Sequence, residues 1–128
     1  MSDQAHKRPV DGEALATYLD TIARRGQTVT YQQAARALGL EPPQTIHRLA
    51  LALEASMTAD AAAGRPLRAA VVVSRVGSGR PAPGFFAHAR ALGRYSGPDE
   101  GPEAHAFHDT ELAAVHAHAQ SRQGSDRA

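Results

Sequence analysis

The sequence predicts a mainly α chain with a small β-hairpin. Three observations lead there. Apolar residues recur at three- and four-residue spacing through Leu15–Ile22 and again through Ile46–Met57. Between and around them Thr28–Leu53, TVTYQQAARALGLEPPQTIHRLALAL, reads as a short strand, a short helix, a tight turn and a longer helix. An apolar strand around Val71-Val72-Val73 and a Gly/Arg-rich loop follow. Helix, strand, helix, helix, strand, loop is the order of a winged helix-turn-helix, here with an added C-terminal helix.

Asp11 caps a first helix that runs to about Arg25 and ends at Gly26, with Leu15, Tyr18, Leu19 and Ile22 as its apolar stripe. Gln27–Thr30 is a short strand. Thr30 with Gln33 three residues on forms a capping box for the second helix, and Gly39 ends it in a left-handed conformation. Pro42 and Pro43 forbid continuation but suit the first turn of a new helix, expected from Pro43 to near Gly64. Its inner face is Ile46, Leu49, Ala50, Leu53 and Met57. Leu67–Ser74 reads as a strand apolar on both faces, Val76–Pro83 as a turn on Gly77, Ser78 and Gly79, and Pro83–Phe86 as a short returning strand. Phe85 or Phe86 opens a helix to Arg94. Ser96–Pro102 is an acidic loop, and a last helix spans Glu103 or Asp109 to Gln120. The organisation is a polar tail over residues 1–10, one domain over 11–120 and a polar tail over 121–128.

The net charge of +1 conceals a segregation. Residues 24–94 hold ten arginines against Glu41, Glu54 and Asp60, a balance of +7, while the segments before and after are acidic. A basic centre suits a polyanion; arginines scattered for solubility are the plain alternative. There is no cysteine, which excludes disulfides, thiolate zinc sites and cysteine nucleophiles. No run reaches membrane-span length and the N-terminus lacks a signal-peptide core, so a cytoplasmic protein is expected.

The candidate DNA-binding residues follow from helix phase. Packing Ile46, Leu49 and Leu53 inward leaves Gln44, Thr45, His47 and Arg48 outward, all able to bond base edges or phosphates. Arg75 and Arg80 flank the Gly77-Ser78-Gly79 tip, where a wing would carry Arg75, Ser78 and Arg80 to the backbone or a narrow minor groove. The same loop lacks a Lys-Ser/Thr continuation and runs into prolines, so it is not a nucleotide-binding loop.

The run Val29-Thr30-Tyr31, then Ala34-Ala35 and Leu38-Gly39, resembles the DNA-binding segment of the alkylguanine-DNA alkyltransferases and alkyltransferase-like proteins. That resemblance implies a winged helix-turn-helix meeting DNA through the minor groove. It stops where the family's chemistry lies. Pro-Cys-His-Arg and Pro-Trp-His-Arg are both absent, and Ala69–Arg75 in the comparable place holds neither Cys nor Trp. Alkyl transfer needs a thiolate and is excluded. A longer stretch, residues 28–118, resembles a group of small uncharacterised bacterial proteins through Gly64-Arg65-Pro66-Leu67, Val71-Val72-Val73, Pro83-Gly84-Phe85-Phe86, Ala91-Leu92-Gly93 and Glu111-Leu112 with Val115. It implies one compact domain with an integral last helix, and no activity.

The remaining chemistry is histidine. His105 and His108 share a face of the last helix, His108, Leu112 and His116 form a stripe at spacing four, and His118 is near it. With Glu103, Asp109 and Glu111 these could gather a metal; surface histidines in an alanine-rich helix are the preferred account. The expectation is a non-enzymatic regulator or accessory factor that binds double-stranded DNA, with no cofactor and no metal. The alternatives are an interaction module for a protein partner or a second copy, docking on the acidic last helix or the apolar surface near Phe85, and a metal-dependent enzyme.

Overall fold

The computed structural model describes residues 10–75 and 79–127, with side chains described as far as Ser121. The first helix, α1 (Gly12–Arg24), starts where Asp11 accepts hydrogen bonds from the Glu13 and Ala14 N–H groups at 2.9 and 3.3 Å, and it buries Leu15, Leu19, Ile22 and Ala23. Strand β1 (Val29–Thr30) leads directly into α2 (Tyr31–Ala37). The capping box is formed: Gln33 N–H donates to Thr30 Oγ1 at 3.1 Å and Thr30 N–H donates to Gln33 Oε1 at 2.9 Å. Gly39, at φ +69°, turns the chain out of the helix, a conformation that costs a residue without Cβ little.

Helix α3 (Thr45–Ala62) starts two residues later than Pro43 would allow. Gln44 is left-handed at φ 55° and its carbonyl accepts the first helical bond, from Arg48 N–H. Leu49, Leu53 and Met57 are buried as the phase requires, but Ile46 is 41% exposed, so the inner stripe begins one turn further on.

The expected strand Leu67–Ser74 is mostly something else. Arg68–Val71 is a 3-10 turn, and only β2 (Val72–Val73) is extended. Side chains explain it: Leu67 N–H donates to Glu111 Oε2 at 2.7 Å and Arg68 N–H to Asp60 Oδ2 at 2.9 Å, so these donors are taken before a ladder can use them. The three valines are buried, as a strand covered on both faces would be. β2 pairs with β1 in parallel, Val29 opposite Val72 and Thr30 opposite Val73.

The β-hairpin is therefore a correction, because the sheet among the described residues is two-stranded and parallel. Residues 83–86 do not return as a strand; they open α4 (Pro83–Ala91), with Pro83 in its first turn. Adjacent Phe85 and Phe86 are both buried, at 6% and 1% exposure. A strand would send neighbours to opposite faces, whereas a helix lets both reach one core. Pro81 and Pro83 also lack the N–H groups a ladder needs.

Helix α5 (Pro102–Arg127) runs beyond the expected end at Gln120 into the segment read as a tail. It buries Ala104, His108, Val115 and Ala119, with Phe107 and Leu112 packed against the core. The 3-10 turn lies at the centre, touched by α1, α3 and α5. The described part is mainly α, and within it no helix is long and apolar enough to cross a membrane.

Candidate nucleic-acid interface and adjoining cavity

The start of α3 projects beyond the core. Gln44 and His47 are exposed and Thr45 is half-buried, all three on the first turn and its cap. Arg48 turns away from this surface. Its Nη1 donates to Glu41 O at 2.7 Å and Pro43 O at 2.9 Å, folding the guanidinium back over the α2–α3 connection. Spacing placed it outward; the reach of a long side chain to carbonyls behind it was not visible in helix phase.

The expected wing residues part company. Ser78 lies outside the described residues. Arg75 is exposed and has no ion pair or hydrogen bond among the described residues. Arg80 points inward instead of toward a groove: its Nη1 donates to His105 O at 3.2 Å, to His108 Nδ1 at 3.1 Å and to the Asp109 carboxylate. The Arg80 hydrogen bond holds the Asp109 carboxyl below the usual range.

The basic centre is likewise reshaped by folding. Arg68 bridges Asp60 at 2.9 Å and Asp20 at 3.4 Å, Arg65 meets Asp60 at 3.0 Å, Arg94 approaches Glu111 at 3.5 Å, and Arg90 bonds Asp99. Burial works against the Arg68 charge, but the Asp60 and Asp20 carboxylates outweigh it and hold its pKa above the usual value. Three of the acids in these pairs, Asp20, Asp99 and Glu111, come from the acidic flanks, as does Asp109, the partner of Arg80. Among the described residues Arg24, Arg25, Arg36 and Arg75 stay exposed without a carboxylate partner.

Two of the four late histidines, His108 and His116, are structural, and His118 is exposed. His108 is 2% exposed; its Nε2–H donates to Ala70 O at 2.9 Å while Nδ1 accepts from Arg80. Burial pushes its pKa below the ordinary value. His116 Nε2–H donates to Gln27 O at 3.0 Å. No group of three or more acids and histidines gathers in metal-binding geometry among the described residues.

One arrangement invisible to spacing is Thr58, His88 and Glu54. Thr58 Oγ1 is 2.9 Å from His88 Nε2, and His88 Nδ1 is 4.0 Å from Glu54 Oε1. It looks like a nucleophile, base and orienting acid but lacks their polarity. The threonine hydroxyl also lies 3.1 Å from Glu54 O, one turn back on its own helix; when it donates there, it accepts from His88 instead of giving up a proton.

Beside these residues lies a cavity of about 270 Å³, walled by Ile46, Leu53, Met57 and Phe85 together with Tyr31 and Arg75. Gln32, Ser74 and Glu54 also border it. Burial raises the Tyr31 pKa, and the hydrogen bond from Ala82 N–H, at 2.9 Å, pulls it partly back.

Comparison with protein-family models, with curated proteins and with solved structures finds no match to this chain. The two sequence resemblances gain nothing from it.

Proposed function

We propose that the protein is a non-enzymatic DNA-binding module of the winged-helix kind, a regulator or accessory factor that lays the start of α3 against duplex DNA. The observation that carries this reading is the helix pair itself. α2 is capped by Thr30 and Gln33, α3 is anchored through Leu49, Leu53 and Met57, and Gln44 and His47 are left exposed at its beginning. Exposed Arg36 on α2 and Arg75 just beyond β2 supply phosphate contacts, while Gln44 is suited to bidentate contact with adenine. Arg48 and Arg80 have no place in this set, because both are committed within the protein.

Fluorescence anisotropy against duplex DNA tests it. Replacing Gln44, Thr45 and His47 together by alanine should weaken binding by about 1–3 kcal/mol if one bidentate base contact is lost. Unchanged affinity in a folded triple variant rejects the surface, and absence of salt-dependent binding in the unmutated protein rejects the function.

A second reading, a protein-interaction module, would use the exposed apolar side chain of Leu51, 53% exposed on α3. The acidic face of α5 serves it poorly, since Asp109 and Glu111 are engaged with Arg80, Arg94 and Leu67, and Phe85 is buried. Sedimentation equilibrium of the protein and of Leu51→Glu reads this alternative: self-association lost in the variant supports it for a second copy of the chain.

A further inference from the structure

The cavity between α2, α3, the end of β2 and the start of α4 has the size and chemistry of a ligand site. Its volume of about 270 Å³ suits the body of a small organic molecule. Leu53, Met57 and Phe85 supply apolar walls, where water gains little from the protein. Tyr31 and Arg75, each with a donor to offer, are among the residues that line that apolar space. The Tyr31 hydroxyl accepts from Ala82 N–H, so its own proton is free of any acceptor among the described residues. Arg75 borders the same space with no carboxylate partner among the described residues. Since burial raises the Tyr31 pKa, the phenol keeps its proton and remains a donor at neutral pH.

Glu54 also borders the cavity, on its α4 side. Its Oε2 lies 3.8 Å from where a Cβ on Gly84 would stand, in the first turn of α4, and Oε1 is 4.0 Å from His88 Nδ1. A carboxylate at a helix N-terminus is held by the dipole there.

We infer that this cavity binds a small apolar molecule bearing a carboxylate, its body against Leu53, Met57 and Phe85 and its carboxylate shared by Arg75 and the Tyr31 hydroxyl. The inference goes beyond the DNA-binding reading and does not rest on it.

Calorimetric titration without DNA, using 3-phenylpropionate, 3-phenylpropan-1-ol and 3-phenylpropylamine, tests it. The acid should bind about tenfold or more tightly than the alcohol, the advantage of a charge-assisted hydrogen bond, and the amine should bind weakest. Arg75→Gln should bring the acid down to the affinity of the alcohol and leave the alcohol unchanged. Tyr31→Phe should weaken the acid without moving the alcohol. Ala50→Trp, checked for its fold by circular dichroism, should abolish both by filling the space. Binding of alcohol or amine as tightly as the acid would overturn the inference, as would acid binding that survives Arg75→Gln or an unmutated protein that binds none of the three. These titrations contain no DNA, so their failure leaves the DNA reading standing and its failure leaves them standing.

Discussion

Asp60 is fully buried yet well partnered: it accepts from Arg65 Nε, from Arg68 N–H and from the Arg68 guanidinium, joining the end of α3 to the central 3-10 turn. Asp60→Ala would leave the Arg68 backbone N–H and the Arg65 guanidinium without their acceptor and the Arg68 guanidinium with Asp20 alone. Removing one partner of a buried pair costs about 3–5 kcal/mol, and urea denaturation should show a loss of that size. A loss below about 1 kcal/mol would mean that the arginines find solvent without strain. His108 has a pH signature. Its pKa in the fold lies below the ordinary 6.5, through burial first and then the Arg80 and His105 charges, although the bond to Ala70 O and the Asp109 charge act the other way. The unfolded chain thus binds the extra proton first. The stability His108 contributes is complete above about pH 6.5 and is lost as pH falls through the folded value. Asp109 works in a lower window, because its depressed pKa contributes stability above the unfolded value of 3.8. Denaturant midpoints should therefore fall from pH 7 to pH 5, and His108→Gln should flatten that slope while being less stable at pH 7.

At the scale of elements, what could be read from the sequence was what neighbours in the chain decide. Asp11, the Thr30–Gln33 box, Gly39 and the Leu49/Leu53/Met57 phase depend on residues within a turn or two of one another. The burial of Asp60 was not read from the sequence, where it counted only as one of three acids in the basic segment. The parallel pairing of Val29 with Val72 was not, since nothing near either valine names its partner, and a Gly-rich turn after Val73 suggested a hairpin instead. Arg48 belongs to the same class, since its role depends on how the α2–α3 connection curls beneath it. Arg48→Ala should consequently destabilise the protein by about 1–2 kcal/mol, the net value of hydrogen bonds from a charged donor, where a purely DNA-facing arginine would leave stability unchanged. Leu53→Ala should cost about 2–5 kcal/mol by opening the core under α3. If urea titration finds Leu53→Ala neutral, the phase of α3 is wrong and the exposed surface at Gln44 and His47 goes with it.

For the molecule as a whole, charge along the chain and charge in space are different quantities. The segment of +7 lies between acidic ends in sequence, but folding brings Asp20, Asp99, Asp109 and Glu111 onto Arg68, Arg90, Arg80 and Arg94. An arginine already bonded to a carboxylate releases no counterion when a phosphate comes near, unless that bond is first broken. Each arginine that does reach a phosphate contributes about 0.9 to the log–log dependence of affinity on salt. Ten free arginines would give a slope near −9 on the same scale; with five of the ten paired, the protein should fall well short of it. The two arginines around the loop should then behave differently. Arg75→Ala should weaken binding to specific and random duplex alike and reduce the slope by about 0.9. Arg80→Ala should leave the slope unaltered and instead lower stability, because it strips His108 Nδ1 and Asp109 of their donor. Anisotropy titrations at several salt concentrations, paired with urea melts of the same variants, measure both. Equal loss of slope in the two variants would mean that Arg80 leaves α5 to meet DNA, and the inward ion pair would then be only the resting arrangement of a wing that opens on binding.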